Sequence, residues 1–381
     1  LKIIANGITL RIQIILICCI VFSCDNDSNL DNDNLVFRYN EHANINTLDP
    51  AFSRTLQDTW VSNQLFNGLL QLDSKLNILP SIAKQWDISE DGLTYSFKLR
   101  NDVYFHEHKL FGKDSTRLVI ADDFEYSFNR LRDDKVAAPG RWVLNKVDNF
   151  EAINDSVFQI QLKQPFPAFI GLLTMKYCSV VPKEIVEHYG SDFRSQPIGT
   201  GPFKFKRWEE NIKLIFRRNP YYFEKDSTGK SLPYLESIAI TFLPDKQSEF
   251  LQFAQGNLDF LNSLDASYKD ELLTADGKLR DNYSNTLNMT RGPYLNTEYL
   301  GFYLGSDTPE IQSGLIRKAI NYGFDRNKMM IYLRNGIGNP ANGGFIPIGL
   351  PGYDKSIGFS YQPEKAKMLV EQFKKESGIT E

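Results

Sequence analysis

From residue 35 onward the chain switches repeatedly between two hydrophobic periods. In "TYSFKL", Tyr95, Phe97 and Leu99 fall on one side and Thr94, Ser96 and Lys98 on the other, the period-two pattern of a half-buried strand. "SVFQIQL" alternates in the same way, and "GPFKFKRW" with "IKLIFRR" reads as a hairpin pair. Residues 35–39, "LDF" and "EYLGFYLG" are predicted strands, and "LESIAITFL" is apolar enough to be a fully buried one. Between them runs the helical period. "ADDFEYSFNRLRDD" sets Phe124, Phe128 and Leu131 at i, i+4 and i+7, with its acids at the positive end of the helix dipole. Asp58 is predicted to cap a helix reaching about Phe66, with Val61 and Leu65 inward. Further helices are predicted over Lys183–Tyr189, over "DKQSEFLQFAQGN" up to Gly256, from Thr308-Pro309-Glu310 through Ile320, and from Asp325 through Leu333. "YQPEKAKMLVEQFKKESG" is the last, with Ala366, Leu369, Val370 and Phe373 inward. Strands and helices interleave along the whole body, which is the pattern of an α/β protein.

The first 34 residues follow neither period. Lys2 and Arg11 precede an apolar run over residues 12–22 that is broken only by Gln13. That run is too short for a bilayer-spanning helix, which needs ~20 residues, and has the size of a signal-peptide core behind a basic start. Residues 1–23 are therefore expected to be a signal peptide. "DNDSNLDNDN" follows Cys24; it is polar, acidic and free of aromatics, so residues 24–34 are expected to be a flexible tether.

Composition narrows the function classes. The chain has 381 residues, 42% hydrophobic and 13% aromatic, enough for two or three cores. Its 43 basic and 47 acidic residues are scattered, with no basic stripe, so no nucleic-acid partner is expected. Of the 4 cysteines only Cys178 lies in the body, so no internal disulfide framework can form there. A metal site built from Cys18, Cys19 and Cys24 would sit inside an apolar signal, which is physically poor. "FHEH" places His106 and His108 on one face of a predicted strand, but no Cys or third His lies near, and they read as two polar residues at a strand end rather than metal ligands. No G-x-S-x-G is present, and Gly199-Thr200-Gly201 meets Pro202 and a strand instead of opening a helix, which departs from the phosphate-loop pattern and favours a tight turn into a hairpin over a nucleotide role. A glycosidase needs only two carboxylates, and no paired motif points to one. No catalytic residue, metal or cofactor is predicted.

Two resemblances add to this reading. Val21-Phe22-Ser23-Cys24 resembles a bacterial lipobox, in which the signal is cut before the cysteine and that cysteine carries lipid. The alternative is an ordinary secretory signal with an incidental Cys24. "GTGPFKFKRW" followed by "RRNPYYF" resembles the core signature of family 5 extracellular solute-binding proteins, the peptide-binding receptors of ABC importers. Leu48-Asp49-Pro50 with "NQLFNGLLQLD", "PSIAKQWDISEDGLTYSFKLRNDVYFHE", "ADDFEYSFNRL", "FLQFAQGNLDFL", "IRKAINYGFDRNKMM" and "YQPEKAKMLV" match it in the same order. The departures are His108 where glycine is usual and an extra "KLFGKDSTRL".

The resemblance implies a two-lobed periplasmic-binding-protein-like fold of class II type with an extra inserted domain. Residues 35–68 and 178–303 would form the first lobe, 69–177 the inserted domain and 304–381 the start of a second lobe, which is expected to be incomplete. It implies a monomeric receptor that holds a peptide in the interlobe cleft and delivers it to an ABC permease. That receptor would be extracytoplasmic and tethered to a membrane through Cys24. By family position the segment after Leu48-Asp49-Pro50 lines the cleft, so Arg54, Thr55, Leu56 and Gln57 are the expected ligand contacts, mainly through backbone groups. The alternatives are a secreted glycosidase or peptidase on a similar α/β body, or the same receptor fold for a nickel complex or a sugar.

Overall fold

The computed structural model describes residues 35–274, 277–292, 295–334, 336 and 338–378. The signal, Cys24 and the tether lie outside those residues. The chain divides into two units, one through Asn262 and one from Ser263.

In the first unit the period-two segments become two four-stranded sheets. One has the order β1 (Val36–Asn40), β10 (Ser237–Thr241), β9 (Lys213–Arg218), β8 (Phe203–Glu209). Its β1 and β10 run parallel with Val36 opposite Ser237, and the β8–β9 hairpin is antiparallel as its sequence predicts. The other sheet is antiparallel throughout, in the order β4 (Ala83–Ile88), β5 (Thr94–Leu99), β7 (Val157–Leu162), β6 (Val147–Asn154). A small hairpin of β2 (Leu70–Leu72) and β3 (Ile78–Pro80) precedes it.

The alternation in β5 and β7 is realised: Tyr95, Phe97, Leu99, Phe158, Ile160 and Leu162 are all buried. Helix α2 (Ala121–Arg132) lays its apolar stripe on that face, with Phe128 stacked 5.4 Å from Phe158 and Phe124 5.8 Å from it. Asp123 accepts the Ile120 N–H at the start of α2, and Arg130 and Arg132 end it, so both poles of the helix dipole are complemented. This packing forms one core. A second core joins Leu48, α1 (Leu56–Leu65), α3 (Lys183–Tyr189) and the β8–β10 sheet through Val61, Leu65, Phe66, Ile185, Phe216 and Ile240. Helix α4 (Lys246–Ala254) follows β10 and stops before Gly256, which has φ 77°.

Five expectations are corrected. Helix α1 is capped by Thr55, not Asp58; Asp58 sits at the third helical position and closes a capping box. "LDF" forms only a single bridge, Phe260 to Tyr39, and His106 and His108 lie beyond the isolated bridge at Tyr104 with no strand between them. The helix from Pro309 breaks after Gln312, and Ser313 caps a new one, α5 (Gly314–Gly323). "EYLGFYLG" is irregular, with Tyr303 79% and Leu300 73% exposed; among the described residues the second unit holds no strand with which it could form a ladder. The second unit otherwise contains α6 (Arg326–Tyr332), capped by Asp325 as expected, and α7 (Pro363–Ser377), with Ala366 and Phe373 buried. No described helix is long and apolar enough to cross a membrane.

Candidate ligand-contact segment and its support

The residues from Leu48 to Asp58 are fixed from both ends. Leu48 is fully buried, and Asp49 opens a single helical turn, Pro50–Phe52, by accepting the Ala51 N–H at 3.1 Å. The two Asp49 oxygens meet the Arg130 guanidinium in a fork at 2.9 and 2.5 Å, with the side chains only 4% and 11% exposed. Phe52 and Phe193 lie 5.9 and 5.8 Å from the guanidinium carbon. Two sequence signatures 81 residues apart, "LDP" and "FNRL", are thus one buried ion pair.

At the other end Thr55 Oγ1 accepts the Asp58 N–H at 3.1 Å, and Asp58 Oδ2 accepts the Thr55 N–H at 3.2 Å. Asp58 Oδ1 also accepts the Asn46 N–H, and the Thr55 carbonyl accepts from Thr59. The segment in between is presented outward. Arg54 is exposed, Leu56 is 51% exposed, and Gln57 is half-buried. Thr55 spends its own N–H and carbonyl on the cap, so the groups offered to solvent at this turn are the Arg54 side chain, the Leu56 side chain and the neighbouring backbone.

The Gly199-Thr200-Gly201 turn supports the far end of α1. Gly201 N–H donates to the Leu65 carbonyl at 2.9 Å, and Thr200 Oγ1 bonds the Asn67 side chain at 3.1 Å. A Cβ on Gly199 would stand 2.1 Å from the Leu65 oxygen, and one on Gly201 2.5 Å from the Gln64 oxygen. These glycines are needed for close backbone approach, not for cradling phosphate.

His106 completes this turn. It is buried; its Nδ1 accepts the Gly199 N–H at 3.3 Å, and Nε2 lies 3.0 Å from the Gly201 carbonyl. That pair of partners assigns the proton to Nε2, which donates to Gly201. Burial pushes the imidazole down to about 4, against the opposing pull of the Gly201 carbonyl, so the ring is neutral and structural. Among the described residues no cluster of three or more His, Cys, Asp or Glu is arranged to hold a metal ion. Cys178 is buried and its thiol is pushed up to about 12 by that burial, which makes it inert.

Further charged groups form partnerships, partly or fully buried, that sequence reasoning did not place. Arg117 forks to both Asp123 and Glu184; its hydrogen bond holds the Glu184 carboxyl low, while burial keeps Asp123 raised. Just past β1, Glu41 is buried and pushed up to about 7, first by burial and then by the charge of Glu249, against the pull of Lys246. Glu249 is itself held by Asn40 Nδ2 at 3.2 Å and His42 Nε2 at 2.9 Å. The Arg130 partnership had one legible signal: the residue sits one position from Leu131 in the apolar stripe of α2.

The sequence profile described as "Bacterial extracellular solute-binding proteins, family 5 Middle" matches residues 77–380. Among curated relatives, the glutathione-binding protein GsiB of Salmonella typhimurium is 25% identical over 334 residues, covering 87% of this chain and 60% of that protein. Di/tripeptide-binding protein 2 of Pseudomonas aeruginosa is 28% identical over 339 residues, covering 84% and 59%. The chain therefore spans about 60% of the length of the curated relatives it matches. Among solved structures, the periplasmic binding protein DppA of Helicobacter pylori in complex with the peptide STSA superposes with TM-score 0.76 at 24% identity, covering 90% of this chain and 66% of that one. NikZ of Campylobacter jejuni in complex with Ni(L-His) superposes at 0.71 and 24%, covering 89% and 63%. The fold is that of the periplasmic binding proteins.

Proposed function

Because the chain belongs to the bacterial extracellular solute-binding proteins of family 5, we propose that it is the ligand-capturing portion of a peptide receptor serving an ABC importer. The family is one of binding proteins found outside the cytoplasm, and the proposed activity is capture and delivery, without chemical change to the ligand. The observation that carries the peptide reading is the pair of relatives named for glutathione and for di- and tripeptides.

The physics suits such a ligand. An extended peptide presents one N–H and one C=O per residue whatever its side chains, so backbone pairing gives affinity without side-chain readout. The segment Arg54–Gln57 would supply part of that contact. Its rigid mounting between the Asp49–Arg130 pair and the Thr55–Asp58 box lowers the ordering cost of binding. Arg54, exposed and unburdened by burial, would meet a ligand carboxylate. We further propose that Cys24 carries the lipid that keeps a monomeric receptor within reach of its permease, at ~0.8 kcal/mol per buried CH2.

Mass spectrometry of small molecules released from the purified protein tests this reading. Short unmodified peptides are expected. Recovery of a nickel chelate or a sugar instead, or turnover of an added peptide into fragments, would overturn it.

A further inference from the structure

The stretch 109–118, extra to the family pattern, is closed by one imidazole. His108 donates its backbone N–H to the Ser115 carbonyl at 2.7 Å, and its Nδ1 accepts the Leu110 N–H at 3.3 Å. Nε2 lies 3.0 Å from Tyr189 Oη at the end of α3. Because Nδ1 accepts from an amide, the proton sits on Nε2 and is donated to Tyr189. Closure packs Phe111 against Phe105, stacked with centroids 6.0 Å apart, and the Arg117 guanidinium covers both rings at 5.5 and 4.8 Å.

We propose that His108 is a proton-operated clasp: the neutral ring holds the 109–115 turn shut, and a second proton, taken on Nδ1, opens it. An imidazolium has two donors and no acceptor. Its Nδ1–H would then face the Leu110 N–H across the same 3.3 Å, donor against donor. The surrounding charges do not rescue that state. Lys109 on the turn itself and His188 on α3 both oppose it. The nearby carboxylates are committed elsewhere, Glu107 to Lys204 of β8 and Glu184 to Arg117. His106, on the same stretch, is neutral. Burial first, then Lys109 and His188, hold His108 below the ordinary histidine range.

The sign follows from linkage. The closed state binds fewer protons than the open one, so closure is favoured above the ordinary value of ~6.5 and is lost as pH falls through the lowered one. The base of the stretch is held by two bonds that do not titrate, Thr116 Oγ1 to the Phe105 carbonyl at 2.6 Å and Phe105 N–H to the Arg117 carbonyl at 3.1 Å, beside the pairs of Arg117 with Asp123 and with Glu184, whose carboxyl that arginine holds low. Opening is therefore confined to 109–115 and uncovers Phe111 beside Leu110, which is already 41% exposed.

Amide hydrogen exchange on the intact chain, corrected for the intrinsic pH dependence of exchange, tests this at about pH 5 and about pH 7.5. In the wild type, residues 109–115 should lose at least about fivefold protection at the acid value while 116–120 keep theirs. His108→Asn, whose amide oxygen accepts the Leu110 N–H at either pH, should show no such loss, and Tyr189→Phe should retain it. A flat wild-type profile, or the same acid loss in His108→Asn, overturns the clasp. NMR titration of the wild-type imidazole gives an answer even where the variant fails to fold: a ring that titrates at or above ~6.5, or that carries its neutral proton on Nδ1, contradicts it.

Discussion

Arg130→Met is the most informative single perturbation of the ligand-contact segment. It keeps the aliphatic stem and removes the charge, leaving the Asp49 carboxylate, 4% exposed, with only the Ala51 N–H at 3.1 Å to satisfy it. Breaking a buried pair by removing one partner typically costs 3–5 kcal/mol, so roughly 3–5 kcal/mol is expected here, plus up to about 1 kcal/mol for the lost contacts of the guanidinium with Phe52 and Phe193. Asp49→Asn keeps an oxygen for the Ala51 N–H and strands the guanidinium instead, at a cost of about 3 kcal/mol. The double variant strands neither charge, so it should fall well short of the sum, with a coupling of about 2 kcal/mol or more. The chain offers a clean readout: its 4 tryptophans, Trp60, Trp86, Trp142 and Trp208, all lie in the first unit. Urea unfolding followed by tryptophan fluorescence therefore reports the unit that contains the pair. A cost below about 1 kcal/mol for Arg130→Met, or additivity within about 0.5 kcal/mol, would refute the view that this ion pair fixes the segment.

Gly201→Ala should cost at least about 3 kcal/mol in the same assay, because its Cβ would meet backbone atoms of Gln64 and Leu65 at 2.5 Å and break the Gly201–Leu65 hydrogen bond. Gly171→Ala, with open space around the added carbon, should stay within about 0.5 kcal/mol of wild type, and equal costs for the two would contradict the close-approach reasoning. Glu41 is pushed up to about 7, so the folded protein holds that proton more tightly than the unfolded chain does. The resulting stability is complete below the ordinary carboxylate range and is lost as pH rises through about 7. Glu41→Gln, neutral throughout, should remove that alkaline loss and gain on the order of 2–3 kcal/mol near pH 8, read as urea midpoint against pH; an unchanged slope counts against it.

What was legible in the sequence was what depends on near neighbours. The alternation of Tyr95, Phe97 and Leu99 set the buried face of β5, and the i, i+4, i+7 spacing in α2 set the stripe that meets Phe158. Local rules competed at Thr55 and Asp58, where an acid near a helix start reads equally as cap or as third residue; the reciprocal hydrogen bonds of the capping box decide for Thr55. "EYLGFYLG" has strand composition, but strand formation requires a ladder partner, and composition cannot supply one. The buried partnerships were out of reach for another reason. Asp49 with Arg130 spans 81 residues, and His106 with Gly199 spans 93. A histidine beside a glutamate on a polar stretch gives no hint that a distant glycine turn will claim both its nitrogens.

The central claim, that this chain captures peptides through the turn at Arg54–Gln57, is tested most directly by amide exchange and calorimetry on the purified protein with the peptide that it releases in the mass-spectrometric test. Binding with ~μM affinity is expected, with added protection concentrated in residues 54–57 and a loss of at least about tenfold in affinity for Arg54→Ala. Peptide binding that leaves 54–57 unchanged and is indifferent to Arg54→Ala would contradict the assignment of the site, and absence of any peptide binding would contradict the function.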